Sequence, residues 1–466
     1  MAAASWSTQL VSWICTMTVA RELGPSNFGL IGMANAFLGM AAIVNEFGMS
    51  AGIVSLPTIC DKEIRQLNFV SVSVGVSVFL VTCAIAKPLG LFFHAPSLPA
   101  VVIAMSIVLI IGSFRNVPDG LLKREFKFKL LASARALETL VYGITIVTAT
   151  WLGAGYWSLV IGAVLGPACS CAFILFRRSA PFELPNFTYL KKPLQLSWHI
   201  LMIRVGGYGY SNADSLIAGR MLGQAALGSY NLAFTLANLP MQRIADQVGA
   251  VIPAYFSNVQ RDEAALRDYV LKISEGLMLL ILPISIGLSL VADDLIFAIV
   301  GPKWIDSVQP LRLLAFFIST YSAANVFIPM LNVRGNSRFV MWNNLAGTIY
   351  LPLGFYVGSH WGTVGIAAAW PLLYPFVAAP LFIRAFRELH LSWESYLRCI
   401  YPAATATLMM AASVLLLRNF MTTQPHSVRL ITEILVGAVV YCSTLAMLHP
   451  QQLRRVYHVL RPAHTP

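Results

Sequence analysis

The sequence is poor in charge. Only 11% of its 466 residues are Asp, Glu, Lys or Arg, whereas soluble domains carry roughly 25%. A water-facing surface cannot be built from so small a supply, which excludes an ordinary soluble fold. The seven cysteines (Cys15, Cys60, Cys83, Cys169, Cys171, Cys399 and Cys442) form no CxxC pair and no Cys/His group at metal-ligand spacing. Neither a disulfide framework nor a metal site is expected, and no cofactor. A Walker A phosphate loop is absent, which speaks against ATP hydrolysis, and no nucleophile–base arrangement is evident. The N-terminus lacks the basic lead of a cleavable signal, since its first charge is Arg21.

What the chain has in quantity is apolar sequence, 57% of the whole. A helix needs about 20 apolar residues to cross a bilayer. Fourteen stretches qualify: 3–20, 28–55, 67–92, 99–118, 134–152, 156–176, 195–219, 228–256, 270–292, 309–331, 339–359, 363–383, 396–417 and 429–448. The first is short, and 28–55 is long enough to tilt or to include a terminal turn. The expected class is an all-α integral membrane protein of about fourteen transmembrane helices with little material outside the membrane.

Lys and Arg test that division. The even-numbered connections and the C-terminal tail hold 23 of the 32, and the odd connections hold seven: Arg21, Lys87, Arg220, Lys303, Arg312, Arg418 and Arg429. Arg204 and Arg243 lie inside spans. By the positive-inside rule, the even connections and both termini are cytoplasmic. A missed helix would reverse the alternation downstream and erase the bias. The net charge of +12 therefore reports topology, and no nucleic-acid partner is expected. Trp151, Trp157, Trp198, Trp361 and Trp393 fall near span ends, as interfacial anchors do. Leu121–Leu131 mixes Lys and Arg with Leu and Phe, and reads as a basic segment lying on the anionic leaflet.

The chain also repeats itself. Arg21, Leu23, Gly24, Phe28, Gly29 and Ala34 recur as Arg220, Leu222, Gly223, Leu227, Gly228 and Ala233, at a constant offset of 199. Six helices separate the copies, so they share an orientation. Transporters built from parallel repeats commonly hold substrate between the halves. The expected organisation is a six-helix lobe over 1–176, a cytoplasmic linker over 177–194, a second six-helix lobe over 195–386, and a helix pair with a cytoplasmic tail over 387–466. Residue 200 corresponds to Met1. The second lobe has an approach segment, Tyr189–His199, that the first lacks, so the chain is expected to start late relative to its relatives.

The segment from Asn212 to Ala233 resembles the signature of Wzx-type polysaccharide flippases. Leu239-Pro240, Pro253, Gly301-Pro302-Lys303-Trp304, Gly155-Tyr156-Trp157 and Leu122-Lys123-Arg124-Glu125-Phe126 are similar to further family features, in the family's order. These belong to the polysaccharide transporter branch of the multidrug/oligosaccharidyl-lipid/polysaccharide flippase superfamily. The resemblance implies a MATE-like two-lobe fold and alternating access. It implies transport of undecaprenyl-diphosphate-linked oligosaccharide repeat units across the bacterial inner membrane, for exopolysaccharide, capsule or lipopolysaccharide assembly. Membrane lipids, and the polymerase and chain-length proteins of such a pathway, are the implied partners. The alternatives are an ion-coupled drug or metabolite antiporter of the same superfamily and, further off, a membrane glycan polymerase or ligase. An enzyme would need catalytic residues on sizeable outer loops, and the longest here, about 293–308, is short. Its acids Asp293, Asp294 and Asp306 read as a solvated rim.

A flippase needs cations for a diphosphate and polar groups for sugars, without bond cleavage. Ionisable residues inside spans are costly, which makes them the candidates. Arg204 lies about a third of the way into the seventh span, and Arg recognises phosphate in bidentate fashion. The opposite reading is a structural Arg. Asn212 and Arg243 complete the substrate-binding candidates. Asp214 and Asp246 are the ion-coupling or ion-pair candidates. Arg243 and Asp246 share a face of the eighth span, just after Pro240, which is expected to kink it. Glu46, Glu138 and Glu275 read as solvated groups near span ends.

Overall fold

The computed structural model describes residues 2–47, 49–55, 59–185, 187–248 and 262–450. Among these the chain is helical throughout, without strands. The longer helices are α1 (Ala2–Leu23), α2 (Pro25–Glu46), α3 (Met49–Ser55), α4 (Asp61–Phe92), α5 (Leu98–Arg124), α6 (Phe128–Trp151), α7 (Trp157–Arg177) and α8 (Phe187–Val248). They continue with α9 (Glu263–Leu290), α10 (Val308–Asn325), α11 (Phe327–Val333), α12 (Ser337–Gly358), α13 (Gly362–Glu388), α14 (Trp393–Phe420) and α15 (His426–Leu448). Among the described residues, ten helical stretches are long and apolar enough to cross a membrane, and one of them, Ser337–Glu388, contains both α12 and α13. This is a multi-pass membrane protein.

Helices suit this solvent because each satisfies its own backbone hydrogen bonds, which lipid cannot do. Pro88, Pro118, Pro167, Pro283 and Pro402 sit inside helices, where each removes one backbone donor and the freed carbonyl is satisfied by neighbouring groups or local adjustment. Two expected spans are resolved more finely. The run 28–55 is divided at Phe47, which adopts the left-handed conformation with φ 46° and ends α2. Among the described residues, the seventh span and the eighth as far as Val248 form one run, α8, whose backbone leaves the helical region at Gly223, where φ is 83° and ψ −173°. Helical dihedrals run through Pro240. The helix also begins at Phe187, inside the expected linker, which leaves Trp198 well within it. Trp151, Trp157, Trp361 and Trp393 do stand at helix ends.

Two compact units result, Met1–Gly228 and Ser229–Pro466. In the first, α4 lies along α5, α6 along α7 and α1, and α5 also against α2, α3 and α7. Val19, Ile146 and Leu159 form one buried centre, with Met49, Ile53, Leu67, Val117 and Leu121 another. In the second unit, α9 packs on α10 and α14, α13 on α10 and α12, and α15 on α14. Its centre is aromatic. The Trp370 indole donates to the buried Tyr230 hydroxyl at 3.0 Å, and Phe234, Phe317 and Phe355 ring it. Trp304, from the Gly301-Pro302-Lys303-Trp304 motif, is fully buried.

The basic segment Leu121–Leu131 is not one helix. Phe126, at φ 55°, separates α5 from α6 and is exposed together with Phe128. Lys123 and Arg124 turn inward, to the Ser50 hydroxyl at 2.9 Å and the Ile53 carbonyl at 2.8 Å. Glu125 holds Lys127 and Arg178, each at 2.7 Å.

Candidate functional site

The turn repeated in sequence is repeated in backbone. Gly24 has φ 74° and ψ 173°, and Gly223 has φ 83° and ψ −173°. Only glycine adopts this region without a steric penalty. Each glycine ends one helix and starts the next. The far end of α2 meets α8 through polar groups. Tyr208 donates its hydroxyl to the Ala36 carbonyl at 3.0 Å, in the space left by Gly39. Arg204 pairs with Glu46, the last residue of α2. The Trp198 ring lies 6.3 Å from that of Phe47.

Arg204 is thus a cation on the long helix α8, 43% exposed at its side chain and held by a carboxylate from another helix. Its charge is permanent, and its planar fork suits two oxygens of one phosphate as well as it suits Glu46. Glu46 is a paired group and not merely a solvated one. Asn212 is half-buried and donates back to the Tyr208 carbonyl at 3.1 Å and to Ser211 at 3.0 Å. Asp214 is 2% exposed and accepts from the Ser215 backbone at 2.7 Å. Arg204 is joined to Glu46, and Asn212 is engaged by its own helix. Arg243 and Asp246 fall on α8, but their side chains lie outside the described residues.

Two charged groups escaped the sequence reading. Arg115 is counted with the even connections in the charge tally, yet α5 carries it inside the first unit. It donates to Asp119 one turn on at 3.1 Å, to Glu138 of α6 at 2.8 Å and to Ser170 of α7 at 2.9 Å. Glu138, expected to be solvated, is one of its partners. The other group corrects the solvated-rim reading. Asp294 is fully buried, and Asp293 and Asp294 take up Arg312, Arg418, Arg429 and His426. Three of the seven cations on odd connections, Arg312, Arg418 and Arg429, are therefore paired with these two local acids. The i,i+4 spacing of Arg115 and Asp119 is a weak signal for the first group. A lone Glu433 in an apolar run was the available signal for the second.

The sequence pattern of the family described as polysaccharide biosynthesis protein matches residues 18–309. The chain belongs to this family. Among relatives, it is similar to the lipopolysaccharide biosynthesis protein WzxC of Escherichia coli (strain K12), 21% identical over 77% of this chain and 74% of that one. It is also similar to the succinoglycan biosynthesis transport protein ExoT of Rhizobium meliloti (strain 1021), 21% identical over 97% of this chain and 92% of that one. Among solved structures, its fold is similar to that of the lipid II flippase MurJ in an inward closed conformation. The TM-score is 0.79 at 13% identity, covering 97% of this chain and 99% of the other. The fold class expected from the apolar stretches and the resemblance, a helical membrane protein of the flippase superfamily, is thereby established.

Proposed function

We propose that this chain moves undecaprenyl-diphosphate-linked oligosaccharide repeat units from the cytoplasmic to the outer leaflet of a bacterial inner membrane, for assembly of a surface polysaccharide. The observation that carries the reading is Arg204, a permanently charged and partly exposed guanidinium on α8 of a member of this family. Without substrate its charge is balanced by Glu46. A diphosphate offers more charge and a matching pair of oxygens, and displaces the carboxylate. The isoprenoid tail stays in lipid throughout, so no bond is broken and the work is binding and release by alternating access. Asn212 serves the sugar, and Asp214 the balance of charge. Arg243 and Asp246 belong to the same proposal by sequence. So do the lobes 1–176 and 195–386 with their linker and C-terminal helix pair, the count of fourteen crossings, both termini in the cytoplasm, and partnership with a polymerase and chain-length proteins.

The test is a clean deletion in a strain with no second flippase. Lipid-linked repeats accumulate on the cytoplasmic side and surface polymer is lost. Normal polymer in that strain overturns the reading. Substrate-stimulated proton or sodium exchange by the purified protein in liposomes, with no lipid-linked glycan present, supports the antiporter instead.

A further inference from the structure

Helix α15 carries His426, Arg429 and Glu433 at intervals of three and four residues, so they share one face. Facing them are Asp293 and Asp294, on the single turn Ala292–Leu295, with Arg312 of α10 and Arg418 of α14. Arg312 and Arg418 donate to Asp293, the latter at 2.5 Å, and Arg418 also reaches the Leu290 carbonyl at 3.2 Å. Asp294 receives Arg429 at 3.0 Å and His426 Nδ1 at 2.6 Å, with Arg418 at 3.7 Å. The His426 ring stacks on Phe297, with centroids 4.7 Å apart.

Every arginine of the cluster is committed to one of the two aspartates. Glu433 is left over. It is 1% exposed, and neither carboxylate oxygen has a hydrogen-bond partner among the described residues. The Nε of Arg429, four residues back on the same face, is also buried and without an acceptor. The charges acting on Glu433 are Asp294, Arg418, Arg429 and Asp293. Burying an ionised carboxylate with no donor costs several kcal/mol. A carboxylic acid brings its own donor and no charge.

We propose that Glu433 is a proton-binding site of this chain, with two states. The proton-bound acid stands apart from Arg429. Once the proton leaves, the carboxylate turns to the free Nε of Arg429, one helical turn away. His426 is the most exposed titratable group of the cluster, with 47% of its side chain accessible, and hydrogen-bonds Asp294. Its exposed ring marks the end of the cluster that opens to solvent, and the proposed exchange route for the Glu433 proton lies on that side. The site sits where α15 is fastened to the ends of α9 and α14, so its charge state bears on how firmly the C-terminal helix pair is held.

The test uses the full chain in lipid nanodiscs and needs no substrate. Difference infrared spectra across a pH series are expected to show a protonated-carboxyl band that Glu433→Gln removes and Glu138→Gln leaves in place. Identical bands in wild type and Glu433→Gln overturn the proposal. A second measurement requires no variant. Dicyclohexylcarbodiimide labels protonated carboxyls in apolar surroundings, and peptide mapping is expected to find the adduct on Glu433, falling several-fold as pH rises. Labelling of other carboxyls with none on Glu433 overturns the assignment. For the exchange route, His426→Ala is expected to keep the band but slow its appearance several-fold after a pH jump. An unchanged rate removes His426 from the proposal.

Discussion

Gly29 and Gly228 meet backbone to backbone, and the contact is reciprocal. A Cβ on Gly29 would lie 1.7 Å from the Gln224 carbonyl oxygen, and a Cβ on Gly228 would lie 1.9 Å from the Pro25 carbonyl oxygen. Gln224 and Pro25 are themselves 199 residues apart, as Gly228 and Gly29 are. The start of α2 and the residues of α8 just after Gly223 therefore touch through equivalent atoms. Such an approach requires a missing side chain on both surfaces.

Gly29→Ala and Gly228→Ala are each expected to destabilise the chain by about 1–3 kcal/mol, because backbone carbonyls cannot move aside as a flexible side chain does. Gly276→Ala is the control. It lies in α9 with nothing within 4 Å of a Cβ, so it is expected to be neutral or to stabilise by about 0.4–1 kcal/mol. Melting temperatures in one detergent, measured side by side, decide the matter. Equal behaviour of all three variants contradicts the close contact.

Arg204→Ala is expected to lower transport roughly tenfold to a hundredfold while membrane insertion stays intact, since a charge-assisted hydrogen bond contributes about 1.5–3 kcal/mol. Arg204→Lys keeps the charge but loses the fork, and falls between the two. Glu46→Gln releases the cation from its resting partner and is expected to tighten substrate binding. Polymer export at wild-type levels in Arg204→Ala excludes a cationic role for this residue.

Arg115→Met removes the cation shared by α5, α6 and α7 and leaves Asp119 and Glu138 facing one another. A fully buried pair broken in this way loses about 3–5 kcal/mol, and partial exposure reduces that to about 1–3. The triple variant Arg115→Met, Asp119→Asn, Glu138→Gln is expected to recover part of the loss. A double-mutant cycle on thermal stability measures the coupling, which is absent if the network is ornamental.

Outside the spans, the hydrogen bond from Lys127, joined by the charge of Arg178, holds the Glu125 carboxyl below the usual carboxylate range. A lowered folded value means that the contact stabilises above the unfolded carboxylate range and is lost as pH falls through the folded value. The stability difference between wild type and Glu125→Gln is thus expected to be present at neutral pH and to vanish in acid. The pairs are largely solvated, so the difference stays under about 1 kcal/mol. A difference that grows on acidification reverses the assignment.

Where the helices lie and where the chain repeats is written in the residues themselves. Apolar length and turn glycines are local properties, and Gly24 and Gly223 demand the same backbone by residue type and spacing alone. Hydropathy could not see that 28–55 divides at Phe47, because a single left-handed residue leaves the apolar count unchanged. Nor could it decide what a charge does inside a span. Arg204 and Glu46 are 158 residues apart, and Asp294 meets Arg429 across 135. Whether such a group is solvated, paired or left over depends on which helix face turns toward which. Tertiary packing alone fixed that, and so it alone showed which acid each of Arg204, Arg312, Arg418 and Arg429 pairs with, and set Glu433 apart as the acid without a donor.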